Sequence, residues 1–245
     1  MFHPKRCIGI VLALSSLALP SAEAQPAFYV RAGVGIASQS LGDWNDDIRN
    51  EEELLQSAGL PADFETMGPG FPIMGEIGLR ITELVRVGLL VSHQWGDAKN
   101  SLADPSGSLG IDRRASATTI AGTIAGSVGS AGFLLGADLG VALGSAEYEL
   151  HFRDFADPAN DLDIDGEWDG NAFSGAVYLG FDRGVGGPSM FARLGYRFQN
   201  LGKLDGGYTS PQLGVMPGPP LNLEDQPMDT DTSGVFLLVG IGFGG

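Results

Sequence analysis

An alternation of bulky apolar residues with small or charged ones returns eight times along this chain. Successive residues of a strand point to opposite faces, so each return reads as a strand with one apolar face. The first covers 28–36, where Phe28, Val30, Ala32, Val34 and Ile36 alternate with Tyr29, Arg31, Gly33 and Gly35. Seven more are predicted over 73–82, 85–95, 116–126, 133–148, 173–182, 190–199 and 235–243. The face opposite the apolar one is rich in Gly, Arg, Glu and Asp.

Alternation alone does not say which face is inside. Glycine does. The outer face of a soluble barrel has no reason to lack side chains, whereas the interior of a narrow eight-strand barrel has little room. The 38 glycines form no collagen period and no low-complexity run. The apolar faces are therefore expected to point outward, into lipid. Predicted connections also alternate in length. Long ones (37–72, 96–115, 149–172 and 200–234) are separated by short turns at 83–84, 127–132 and 183–189. Membrane barrels sort long extracellular loops from short periplasmic turns in this way. Aromatics gather near predicted strand ends, as at Phe28, Trp95, Tyr148, Phe173, Phe181, Phe198 and Phe243, where the two membrane interfaces would lie.

The predicted fold is all-β: an eight-stranded antiparallel up-and-down transmembrane barrel. Ten strands result if 149–169 or 208–227 adds a hairpin above the membrane. Gly132, Gly136, Gly140 and Gly144 would also suit a packed membrane helix. Their even spacing equally places them on one strand face, and Asp138 at the centre is costly in a lone helix. A soluble lipid-binding barrel, apolar inside, is the remaining rival.

Residues 1–24 read as an export signal and 25–245 as one barrel domain. Lys5 and Arg6 precede an apolar run over 8–19, and Ala22-Glu23-Ala24 is a small-residue cleavage site before Gln25. The lone cysteine, Cys7, falls inside the signal, so neither disulfide nor thiolate chemistry is expected. The net charge of −16 argues against nucleic acid as a partner.

The chain resembles the small outer-membrane β-barrels of the OmpA/OmpX type. The resemblance rests on the Ala22-Glu23-Ala24 site, the opening Phe28-Tyr29-Val30-Arg31-Ala32-Gly33-Val34-Gly35 and the closing segment 235–243. It implies residence in the cell outer membrane, contact with outer-membrane lipid and lipopolysaccharide, insertion by the barrel-assembly machinery, and a monomer. The family ends on an aromatic residue, whereas here Phe243 is followed by Gly244 and Gly245.

The inward positions collect Arg31, Glu76, Arg80, Arg86, Asp138, Asp182, Arg193 and Arg197. Buried charges must be paired, so a salt-bridge network filling the lumen is expected. A narrow anion-selective pore is the functional rival, since arginines outnumber acids. Most of the acids fall in the predicted loops. Asp43 to Ala58 reads as a solvated loop helix capped by Asp43, with Trp44, Ile48 and Leu55 as its apolar stripe and Gly59 and Pro61 stopping it. A lid over the barrel mouth is the other reading of this helix.

Asp161, Asp163, Asp165, Gly166 and Asp169 follow the first half of an EF-hand calcium loop, with Ala172 where the closing Glu belongs. No cofactor is required, but Ca²⁺ in the acidic loops is an expectation. Divalent ions would also bridge these loops to anionic lipid phosphates. His93 and His151 show no Ser-His-acid pattern, so no enzyme is expected. A structural or adhesive surface protein is the leading expectation. A small porin, a lipid A-modifying barrel enzyme and a periplasmic lipid-binding barrel are the alternatives.

Overall fold

The computed structural model describes residues 27–129, 131–184, 188–223 and 226–244. The expected export signal, with Cys7 and its cleavage site, lies outside them. In chain order the elements are β1 (Ala27–Ala37), α1 (Gly42–Ser57), β2 (Ile73–Arg80), β3 (Val85–Asp104), β4 (Gly107–Val128), β5 (Phe133–Asp154) and β6 (Leu162–Gly184). Then follow β7 (Ser189–Phe198), β8 (Asn200–Gly202), β9 (Asp205–Ser210), β10 (Gly214–Pro217), β11 (Thr230–Asp231) and β12 (Gly234–Gly244).

Eight of these strands form a closed antiparallel ring. Neighbours from β1 to β7 pair in sequence order, and β12 bridges β7 to β1. Closure satisfies the backbone of every wall strand, as a bilayer requires. Outward residues such as Phe28, Leu89, Ile124, Leu139, Val177 and Ile241 are exposed. Inward residues such as Arg31, Glu76 and Arg193 are buried. The apolar belt is therefore on the outside, and the soluble lipid-binding alternative is overturned. Ring pairs mark its two rims: Phe133 meets Phe181 at 5.5 Å below, while His93 stacks on Trp95 at 5.7 Å above.

Lumenal glycines make room for rings. A Cβ on Gly136 would lie 2.3 Å from the Tyr178 ring, and one on Gly78 would lie 2.5 Å from the Tyr29 hydroxyl. Gly136, Gly140 and Gly144 thus lie in a strand, not a helix, and Gly132 in the turn before it.

Strand length differs around the ring. β1, β2, β7 and β12 have 11, 8, 10 and 11 residues. β3 to β6 have 20, 22, 22 and 23. A membrane crossing needs only about 9–11. The expected loops 96–115 and 149–172 are mostly strand, joined by tight turns. Asp104 Oδ1 builds the first turn by accepting from the Ser106 and Gly107 amides at 2.7 and 3.1 Å. Their alternation continues with its polarity reversed, which is why they resemble loops in sequence. Above the belt, Asp97, Lys99, Arg114 and Glu149 face outward while Ala98, Ile111, Ala115 and Ala146 are buried inside.

The interior of this upper storey is a second apolar core. α1 fills it, burying Trp44 and Ile48 with Leu41, Phe64, Met67, Trp168 and Leu204. The helix is not a solvated loop helix. Asp43 does not cap it; the N-cap is Leu41, without a side-chain hydrogen bond. Asp43 Oδ2 instead accepts the Asp229 amide at 2.9 Å. The expected stop is present: Gly59 adopts φ +83°, and the Leu60 amide donates back to Leu55 O at 3.0 Å. Segment 60–72 is held to the wall by Asn100, which exchanges two hydrogen bonds with the Glu65 backbone.

β7 ends at Phe198, and the chain then turns into the mouth. β8 pairs with β11 there. The β9–β10 hairpin adds to the upper part of β6, opposite Asp165 to Asp169. The ten-strand alternative takes this form: a hairpin above the belt, outside a ring of eight.

Candidate functional site

The lumen is filled in layers. At the lower end Asp182 is shared by Arg31 and Arg86. Above it Glu76 takes Arg193, the Tyr29 hydroxyl at 2.6 Å and Arg31 at 3.7 Å. The guanidinium of Arg193 also lies 4.6 Å from the Tyr178 ring centroid, and that of Arg31 lies 4.8 Å from that of Tyr29. Three of the expected network residues stand apart. Arg197 bonds Gln94 rather than an acid. Asp138 faces a cavity of about 30 Å³ beside Arg197 and keeps one oxygen without a partner among the described residues. Arg80 lines the lower opening with Arg31 and Arg86, and no described acid pairs with it.

Higher still, Gln199 ties the walls together. Its side-chain oxygen accepts from Thr119 at 2.9 Å and Ser174 at 3.1 Å, while its amide nitrogen donates to Thr232 at 2.9 Å. Tyr29, Gln94 and Gln199 were missed as network members because they are uncharged. Each nevertheless occupies an inward position of the period-2 pattern.

Over this filled lumen sits the mouth core, and one side of that core is open. A cleft of about 350 Å³ separates α1 from β5, β6, β9, the segment 216–223 and Met228. Four rings form an edge-to-face chain around it. Trp44 meets Trp168 at 6.3 Å, Trp168 meets Tyr208 at 4.7 Å, and Tyr208 meets Tyr148 at 6.1 Å. Backbone groups fix the rings: Trp168 Nε1 donates to Gly218 O at 2.8 Å, and the Tyr208 hydroxyl accepts the Leu221 amide at 3.2 Å.

Asp47 and Glu51 also line this cleft, one turn apart on α1. Both lean on Arg113, whose Nη2 is 3.3 Å from Asp47 Oδ2 and 2.5 Å from Glu51 Oε1. Asp47 Oδ1 accepts the Leu223 amide at 3.0 Å. Burial holds both carboxyls above their ordinary pKa range, against the opposing pull of Arg113. It raises the Tyr148 and Tyr208 hydroxyls as well. Arg113 went unseen in the sequence because its segment resembles a loop. Trp168 and Tyr208 carry no sequence signal that joins them.

The compact calcium loop expected at Asp161 to Asp169 is not formed. Asp163, Asp165 and Asp169 lie along extended β6, where alternate side chains are about 6.6–6.8 Å apart and cannot close on one ion. Asp163 instead accepts from His151 at 2.8 Å and Arg153 at 2.7 Å, and Asp161 faces Arg153 at 3.8 Å. Those bonds hold the Asp163 carboxyl below its ordinary range. Among the described residues no three acid, His or Cys side chains converge on a metal position. His93 Nδ1 lies 3.0 Å from the Thr118 hydroxyl at the upper rim. Among the described residues neither histidine is hydrogen-bonded to a serine, and Ser92, next to His93, points to the opposite face of the strand.

The closed ring, the outer apolar belt and the sorting of connections define an integral outer-membrane β-barrel protein of the small eight-stranded kind. No family model matches the chain. No curated protein matches it either. Solved structures similar to it are outer-membrane barrels. The outer membrane protein OprG from Pseudomonas aeruginosa is 15% identical with a TM-score of 0.46, over 89% of this chain and 95% of that one. Ail, the attachment invasion locus protein of Yersinia pestis, is 9% identical with a TM-score of 0.39, over 90% of this chain and 97% of that one. The outer membrane protease OmpT from Escherichia coli is 9% identical with a TM-score of 0.36, over 94% of this chain and 99% of that one. Such distant likenesses carry nothing about the role of this chain.

Proposed function

We propose that this protein is a sealed barrel whose extracellular mouth is its working surface, a structural and surface-interaction (adhesion) protein rather than a channel. The observation that carries this reading is the double seal. The Arg31–Glu76–Asp182–Arg193 cluster fills the lumen, and α1 packs into the storey above it. A small pore would need a continuous wet path past both. An enzyme would need an assembled catalytic set, and among the described residues the His–acid contacts, His151 with Asp163 and Glu149, lie on the exposed outer wall. An open concave surface at the mouth is the aromatic cleft beside α1.

Planar-bilayer recording of the folded protein tests the reading. Insertion without discrete conductance steps is the expected result. Reproducible steps from the wild-type chain would overturn it in favour of a small porin.

A further inference from the structure

We propose that the mouth cleft is a binding site for a small organic cation with an apolar body, an amine or a quaternary ammonium. This rests on the reading of the mouth as the working surface and adds the class of ligand. Three independent observations converge on it.

The first is charge. Asp47 and Glu51 face the cleft together, and a single guanidinium, Arg113, answers both. Glu51 Oε2 is shut off from solvent and has no partner among the described residues. Among the described residues two carboxyl groups therefore share one guanidinium, with Glu51 Oε2 still unfilled as an acceptor and Arg113 Nε and Nη1 unfilled as donors. A buried acceptor of this kind is costly until a donor or a positive charge reaches it.

The second is the wall. Tyr148, Trp168 and Tyr208 present ring surface to the same space, and Tyr148 already receives Arg113 at 5.1 Å from its centroid. Aromatic faces attract cations, most strongly once water is excluded.

The third is the apolar remainder, formed by Met216, Leu221, Leu223 and Met228. A hydrated metal ion would find too few oxygens here to replace its water, since among the described residues no three metal-ligating side chains gather. A sugar would need free donors, yet the Leu221 and Leu223 amides are already taken by Tyr208 and Asp47. An alkyl or aryl body beside an ammonium head fits both linings. The volume of about 350 Å³ lies within the range of small-ligand pockets. The net charge of −16 would gather such cations near the mouth.

The experiment uses the full folded protein in lipid nanodiscs. Benzyltriethylammonium is titrated against it by calorimetry and tryptophan fluorescence, beside benzyl alcohol and benzoate. The expected result is saturable one-to-one binding of the ammonium, with the alcohol and the anion at least tenfold weaker. Glu51→Gln should weaken the ammonium at least tenfold while keeping the heat-modifiable gel mobility of a folded barrel. Equal binding of the alcohol, absence of ammonium binding, or unchanged affinity in folded Glu51→Gln would each overturn the proposal. Absence of binding without conductance sinks the cation site and leaves the sealed-mouth reading standing. Conductance steps sink that reading instead.

Discussion

The outward face of β5 carries Leu135, Leu139, Val141 and Leu143 in its lower half, then Glu147, Glu149 and His151 in its upper half. The inward face runs the other way, from Asp138 to Ala142, Ala146, Tyr148 and Leu150. One unbroken strand thus belongs to two barrels. The lower is apolar outside and holds its ionic cluster inside, among small and apolar residues such as Met74, Leu90, Phe191 and Phe236; the upper is ionic outside and apolar inside. The backbone ladder is the same in both. What changes is the solvent around it. Lipid outside forces polar groups into the lumen, where only mutual pairing makes them tolerable. Water outside lets the wall bury an ordinary hydrophobic core. The reversal falls level with Trp95, Ser116, Ser145 and Asp169, which are consecutive partners across β3 to β6.

The two storeys should therefore fail differently. Glu76→Ala is the largest expected effect. It leaves Arg31 and Arg193 buried without their shared acid, a loss of about 3–5 kcal/mol. The unboiled protein should then lose its fast gel mobility at a much lower temperature than wild type. An unchanged transition would mean that the lower storey is held by its ladder alone.

Ile48→Ala comes next. Ile48 has 0% exposure in the mouth core, and removing a buried Ile side chain costs about 2–5 kcal/mol. Hydrogen exchange of α1 amides should speed up while the gel mobility of the barrel persists. Loss of both together would show that the storeys fold as one unit.

How much of this was legible follows the same division. The belt strands could be read because lipid imposes one rule on every outward position. Their ends were placed within a few residues for β1, β2, β7 and β12. The upper parts of β3 to β6, 96–115 and 149–172, resemble loops because outward Asp97, Lys99 and Glu149 look like loop composition. Alternation with inverted polarity is still alternation, and Ala98, Ile111 and Ala115 are its inner register. The Arg31, Glu76, Asp182 and Arg193 cluster was visible as inward charge. The cleft was not, because it joins α1, β5, β6 and β9 across gaps of up to 160 or so residues in sequence. Helix existence was clear from Trp44 and Ile48. Its burial depends on a wall whose upper half resembles loop in sequence.

The finest test compares one substitution at two heights on a single strand. Leu139→Lys places a charge in mid-belt, at a cost of about 2–4 kcal/mol. Glu149→Lys, on the same outward face, should act with the opposite sign. In the upper storey Glu149 sits directly between Asp112 on β4 and Asp165 on β6. Three carboxylates in a row repel, and Lys99 relieves only Asp112, at 2.9 Å. A lysine at 149 turns two like-charge pairs into opposite-charge pairs, each worth about 0.2–1 kcal/mol in a sheet. Exposure and salt bring the gain to the low end. Slower hydrogen exchange across the upper β5–β6 hairpin is expected at low ionic strength, fading near 1 M salt. Faster exchange, or a gain indifferent to salt, would mean that the acids of this face do not repel as the register requires. The inversion along β5 would then rest on core packing alone.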